Sequence, residues 1–130
     1  METLNINSSK RTQFIDITDA VRKVVDRSGV ENGMVFLYVP HTTAGLTINE
    51  NADPAVVSDM AGKLSQLVPE GDGYAHLEGN SDSHIKSSLF GNESFVFIEN
   101  GSMKLGTWQG IYLTEFDGPR KRQVFIKITI

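Results

Sequence analysis

The sequence predicts an α+β domain built mostly from β-strands, and three observations predict it. Val124, Ile126, Ile128 and Ile130 alternate with Phe125, Lys127 and Thr129, the period of a strand with one buried face. Val56, Val57, Met60, Leu64, Leu67 and Val68 recur at helical spacing behind Asp53-Pro54, a good N-cap and first-turn pair, and the stripe stops at Pro69. Asn100-Gly101, between two β-rich runs, is a strong two-residue hairpin turn. With 130 residues, 39% hydrophobic and 22% charged, no repeat and no long linker, the chain suits one globular domain over 1–130.

In chain order, Leu4 and Ile6 alternate with polar neighbours, and Phe14, Asp16 and Thr18 face opposite Ile15 and Ile17. These read as two strands joined as a hairpin across the polar stretch Ser8 to Thr12. Asp19 then caps a short helix carrying Val21, Val24, Val25 and, at its weak end, Val30. Met34 to Val39 is a buried-type strand; Pro40 to Gly45 is a polar corner; Leu46 and Ile48 continue as a strand toward Asn51. After the helix that ends at Pro69, Glu70 to Ser83 is a polar loop of the kind that is usually functional. A short helix over His84 to Leu89 ends at Gly91, and strands follow at Ser94–Glu99, Lys104–Leu105, Gln109–Glu115 and Gln123–Ile130.

Composition excludes several functions. Twelve Lys plus Arg against sixteen Asp plus Glu give a formal charge of −4, so no global positive field draws the chain to nucleic acid or to an anionic membrane. Without cysteine there is no disulfide, no thiolate nucleophile and no Cys-ligated zinc, which leaves nitrogen and oxygen ligands for any metal. Met1 to Ser9 lacks the basic start and apolar core of a signal peptide, and Met34 to Val39 is the longest apolar run; a cytoplasmic location is expected. Neither a P-loop nor a Gly-x-Ser-x-Gly elbow is present, and Gly71-Asp72-Gly73 is a turn rather than a dinucleotide fingerprint.

All three histidines, His41, His76 and His84, lie in polar corners rather than in apolar stripes. Three imidazoles with an open fourth position make a catalytic zinc-type arrangement, and three unrelated surface histidines are the competing reading. Around them stand Asn49, Glu50, Glu78, Asn80, Asp82, Glu115 and Asp117. Glu115, between Leu113 and Phe116, needs a partner if it is buried and needs none if it faces out from an edge strand. Thr42-Thr43 and Gly106-Thr107-Trp108-Gln109 offer hydroxyls and backbone N–H groups suited to anions. Lys86 and the cluster Arg120-Lys121-Arg122 are the candidate phosphate cations, although a basic tripeptide is more often a solubilising turn.

Three long blocks, His41 to Pro54, His76 to Lys86, and Gly106 to Ile111 with Glu115 to Arg120, resemble the YjbQ family, also called UPF0047. The resemblance covers essentially the whole chain. It implies a β-sandwich-like α+β subunit of mostly antiparallel strands with two to three helices, assembled as a homotrimer. It also implies secondary thiamine-phosphate synthase activity, joining a hydroxymethylpyrimidine diphosphate to a thiazole phosphate with release of pyrophosphate. The family's histidines fall on His41, His76 and His84, expected to hold a divalent metal, while Glu50, Glu78 and Glu115 are the matching acidic positions. Three imidazoles suit zinc, whereas pyrophosphate departure is normally helped by magnesium.

On this resemblance Lys86 and Arg120 neutralise the diphosphate, with Thr42, Thr43, Asn49, Asn80, Gly106, Thr107, Trp108 and Gln109 lining the site. Glu50 or Glu115 moves a proton, and Glu78 and Asp82 support the imidazoles. Two other functions fit the same residues: a hydrolase using a His-bound metal water, and a non-catalytic trimer that binds a small anionic metabolite.

Overall fold

A computed structural model describes all residues, Met1–Ile130. Eight strands and three helices occur in the order β1 (Glu2–Asn7), β2 (Gln13–Asp16), α1 (Thr18–Ser28), β3 (Gly33–Tyr38), β4 (Ala44–Glu50), α2 (Pro54–Leu67), α3 (Ser81–Phe90), β5 (Glu93–Glu99), β6 (Ser102–Met103), β7 (Gln109–Glu115) and β8 (Lys121–Thr129). Five strands form one sheet in the order β1-β8-β3-β5-β6, and three form a second in the order β2-β7-β4. Every pairing is antiparallel. This is the expected α+β class, and none of the helices is long and apolar enough to cross a membrane.

The core is made by one face of each sheet together with α1. Val35, Leu37, Val96, Ile98, Val124 and Ile126 meet Ala44, Leu46, Ile111 and Leu113 of the smaller sheet and Val21, Val24 and Val25 of α1. The even positions of β8 are therefore the buried ones, as its alternation predicts. At about 25 cal/mol per Å² of apolar area, such interdigitated branched side chains supply the main driving force for folding. The other face of the small sheet is covered too. Phe14 packs edge-on against Phe90, Tyr112 and Phe116, so β7 is buried on both sides.

Four expectations are corrected. β1 and β2 do not form a hairpin: Leu4 pairs with Val124 in the large sheet, and Ile15 pairs with Leu113 in the small one. The stretch between them crosses from sheet to sheet, held by Ser8 N–H on the Arg120 carbonyl and by Gly118 N–H on the Arg11 carbonyl. The first helix begins two residues earlier than an Asp19 cap allows. Asp16 Oδ1 accepts from Thr18 N–H and Oγ1, and Gly29, at φ 68°, ends the helix before Val30. Helix α3 starts at Ser81, because the Asn80 carbonyl already accepts from Ser83 and His84 N–H. Strand β6 lies at Ser102–Met103 rather than Lys104–Leu105: Asn100 and Gly101 both adopt positive φ, so a two-residue turn sets Ser102 against Glu99 at once.

Candidate functional site

On β7, Ile111, Leu113 and Glu115 share the core face; on β8, Arg122, Val124 and Ile126 do. The inner surfaces of the two sheets thus end on a carboxylate and a guanidinium. Arg122 donates to both Glu115 oxygens from Nε, at 2.9 and 3.1 Å, and again from Nη2. Ser8 Oγ and Asp117 N–H complete the shell around Glu115. Burial alone would raise the Glu115 pKa, but the hydrogen bonds from Arg122 and Ser8 outweigh it and hold the carboxyl below its ordinary range. Of the two readings that its sequence setting leaves open, Glu115 takes the buried one, with Arg122 as its partner. Fully enclosed, it faces the sandwich interior and not a cleft.

Helix α3 closes the same end from outside. Its inward face is polar: Asp82, Ser83, Lys86 and Ser87 are buried. These residues supply donors to chain ends that the ladder leaves unpaired, Ser83 Oγ to the Phe116 carbonyl and Ser87 Oγ to the Ala44 carbonyl. Asp82 receives Lys86 Nζ at 2.8 Å and a two-pronged Arg11 at 3.0 and 3.1 Å. Burial pushes Asp82 up, and these cations pull it further down, so it stays ionised. Lys86 is consequently a neutralising partner inside the fold, with only 4% of its surface exposed. The close seat of the helix requires Gly45, since a Cβ there would stand 2.6 Å from the Gly91 carbonyl oxygen.

Above this ionic floor lies a cavity of about 390 Å³ lined by His41, Thr42, Ser87, Ser88, Gly91 and Asn92, with no apolar side chain. His41 Nε2 accepts Gln123 N–H at 2.9 Å, which leaves the ring proton on Nδ1. Burial and the nearby Arg122 and Arg120 lower the His41 pKa, Glu115 opposing them, so the ring is neutral at physiological pH. One turn before Ser88 on the helix is His84, whose ring meets that of His76 edge-on with centroids 5.5 Å apart. His76 Nε2 lies 3.8 Å from Glu78 Oε2. Arg120 is half exposed beside Asp117, to which it donates at 2.9 Å.

Two of the three histidines thus come together, and His41 is held separately by the β8 backbone. No set of three or more His, Asp or Glu side chains stands close enough to hold one ion, so a single chain does not supply the expected three-imidazole metal site. Asn80 is nearly buried, donating to Asp117 at 2.9 Å; its Oδ1 has no partner and is an acceptor, the wrong polarity for an anion.

The remaining candidates lie elsewhere. Glu50 pairs with Gln109, and Ala44 with Glu115, so Asn49, Glu50 and Gly106 to Gln109 occupy the opposite end of the small sheet, about 20 Å along the strand. There the Gly106 N–H is taken by the Gln109 side chain at 2.8 Å, Asn49 Oδ1 accepts Glu50 N–H, and Trp108 is largely exposed. A second polar cavity, of about 370 Å³, opens at this end between Arg22, Asp26, Asn51 and Thr107.

The sequence reading has Arg122 only as part of a basic run, for phosphate or for a solvated turn, whereas it is buried against Glu115; Arg11, Ser87 and Gln123 it does not single out. Arg122 was findable: it continues the buried face of Val124 and Ile126, and a charge in that register needs a partner as Glu115 does. Arg11, Ser87 and the Gln123 backbone carry no such signal.

Comparison with known proteins places this geometry. The family profile described as UPF0047 protein YjbQ-like matches residues 2–130. A UPF0047 protein of Methanocaldococcus jannaschii is 51% identical over 95% of this chain and 89% of its own length. The UPF0047 protein YugU of Bacillus subtilis is 48% identical over 98% of both chains. A crystal structure of a yjbq/upf0047 family protein from Clostridium acetobutylicum superposes with a TM-score of 0.98 at 55% identity, covering 99% of this chain and 100% of that one.

Proposed function

Since the chain belongs to the UPF0047 (YjbQ-like) family, we propose that its histidine-lined end binds small phosphorylated molecules and acts as a secondary thiamine-phosphate synthase. The observation that carries this reading is the wholly polar cavity bordered by a neutral, backbone-anchored His41. In the reaction the thiazole nitrogen attacks the methylene carbon of the pyrimidine diphosphate. The C–N bond forms as the C–O bond to the diphosphate breaks, and pyrophosphate leaves with the electron pair. The protein needs no covalent nucleophile, and its task is to bind and balance charge. His41 Nδ1–H and the Thr42 hydroxyl bind phosphate oxygens, and half-exposed Arg120 balances their charge.

A divalent metal, zinc or magnesium, is implied by the family resemblance. Because one chain's histidines do not form a coordination set, no step is assigned to it. The hydrolase reading loses its carboxylates here: Glu115 is sealed by Arg122, and Glu50 is at the far end. We further propose a cytoplasmic homotrimer. Phe36, Tyr38, Phe95 and Phe97 stand about half exposed side by side on the open face of the large sheet, a contiguous aromatic patch of the kind that marks an interaction surface. A cyclic trimer joins unlike surfaces of neighbouring copies, which gives the Glu50–Gln109 end of one copy a route to the histidine end of the next.

The test incubates the protein with the pyrimidine diphosphate and the thiazole phosphate and follows thiamine phosphate by chromatography and pyrophosphate by coupled assay. Product should form, and His41→Ala and Arg120→Ala, each removing a contact to phosphate, should each lower the rate by roughly 10- to 100-fold. Saturable pyrophosphate binding without product would make the chain a non-catalytic binder. Unchanged rates in both variants would move the chemistry away from this end.

A further inference from the structure

Strand β8 grips the His41 loop twice, through successive residues. The register that pairs Tyr38 with Phe125 would next set Pro40 opposite Gln123. The β3–β8 pairing stops before that point: Val39 N–H extends the β3–β5 ladder to the Asn92 carbonyl, and on the β8 side the His41 ring takes the Gln123 N–H. One residue earlier on β8, and on the opposite face, the Arg122 fork reaches Thr43. Its Nη2 donates to the Thr43 carbonyl at 3.1 Å and to Thr43 Oγ1 at 2.8 Å while the same side chain holds Glu115. The segment His41-Thr42-Thr43 is therefore pinned at one end to a backbone amide and at the other to a buried guanidinium. The planar fork of arginine aims separate donors at a carboxylate and at a second residue in fixed directions, a span the single ammonium of lysine does not reproduce.

We infer that Arg122 is a positioning residue: through Thr43 it sets the place of His41 against the Gln123 amide and so fixes which ring nitrogen of His41 carries the proton. Its link to ligand binding rests on the function proposed above; its effect on His41 does not.

The experiment is a two-bond ¹H–¹⁵N correlation on the uniformly labelled full chain, at a pH where His41 is neutral, which reads the protonated nitrogen directly. Pyrophosphate titration calorimetry is run alongside. The parent should show His41 protonated on Nδ1. Arg122→Lys keeps the charge beside Glu115 but loses the span to Thr43, and Thr43→Val leaves the ion pair intact while deleting one arm of the grip. Both should shift His41 toward the Nε2–H form usual for a free imidazole, and both should weaken pyrophosphate about tenfold.

Should Arg122→Lys fail to fold, the pair Arg122→Met with Glu115→Leu removes both charges together, an exchange buried pairs tolerate, and should show the same shift. A folded Arg122 variant that keeps the parent's His41 signature overturns the inference. A parent that binds no pyrophosphate, with the His41 shift still present in the variants, overturns the ligand reading alone.

Discussion

Helices α2 and α3 reverse each other. Helix α2 has the clearest apolar stripe in the sequence, yet Leu64 is its one buried residue and Leu67 is 69% exposed. Helix α3 has almost no apolar pattern, yet it buries an aspartate, a lysine and two serines. Periodicity reports how much apolar surface a helix presents, not whether its own chain covers it. Burial of α3 is driven by something the pattern does not encode, the need of the Ala44 and Phe116 carbonyls for donors at the sheet's end.

The contrast can be broken most severely at Asp82. Asp82→Ala leaves Lys86 buried without its carboxylate, and urea unfolding should show a loss of about 3–5 kcal/mol. The double change Asp82→Leu with Lys86→Met should recover the share of that loss that comes from the orphaned lysine, while Arg11, part exposed and still beside Glu70 at 3.4 Å, loses its Asp82 bonds in both variants. A loss below about 1 kcal/mol for the single variant would mean that the polar face of α3 does not hold it in place.

Acid should act in the same sense. The folded-state pKa values of Asp82 and Glu115 lie below their ordinary values of 3.8 and 4.5. The unfolded chain therefore binds protons first as pH falls. The stabilisation is complete above about pH 5 and disappears as pH drops through the folded values. Urea midpoints measured from pH 6 to 3 should fall, and less steeply in Glu115→Gln than in the parent.

On α2 the expected effects are smaller. Leu64→Ala should cost about 2 kcal/mol, the low end for a core leucine, because its site is at the rim. Asp53→Ala removes the side chain that accepts Ala55 N–H and should cost about 1 kcal/mol by thermal unfolding. Val57→Lys and Met60→Lys should shift the stability of the isolated subunit by no more than about 0.5 kcal/mol. If this stripe is buried between copies, the same changes lower the sedimentation-equilibrium mass toward one chain. An unchanged mass would assign the assembly to the aromatic face of the large sheet instead.

Local signals were legible wherever one residue type decides the backbone. Asp53-Pro54 starts α2, Asn100-Gly101 turns β5 into β6, Gly91 stops α3, and the alternation of β8 predicts its buried face. Partner choice was not legible. The strands on either side of Ser8 to Thr12 are as compatible with a hairpin as with a crossover, because alternation specifies a face and not a neighbour.

The candidate site divides along the same line. By itself the sequence determined the residue types available for chemistry: three histidines in polar corners, no cysteine, and a carboxylate in an apolar strand that needs a partner if it is buried. Tertiary structure alone decided which of them meet. It set Arg122 across the sandwich from Glu115, seated Lys86 inside on Asp82, brought His76 to His84, and left Glu50 and Gln109 a strand's length away. The reason is geometric. Register along β4 and β7 turns a separation in sequence into a distance in space, and only the completed pairing of both sheets says which ends coincide.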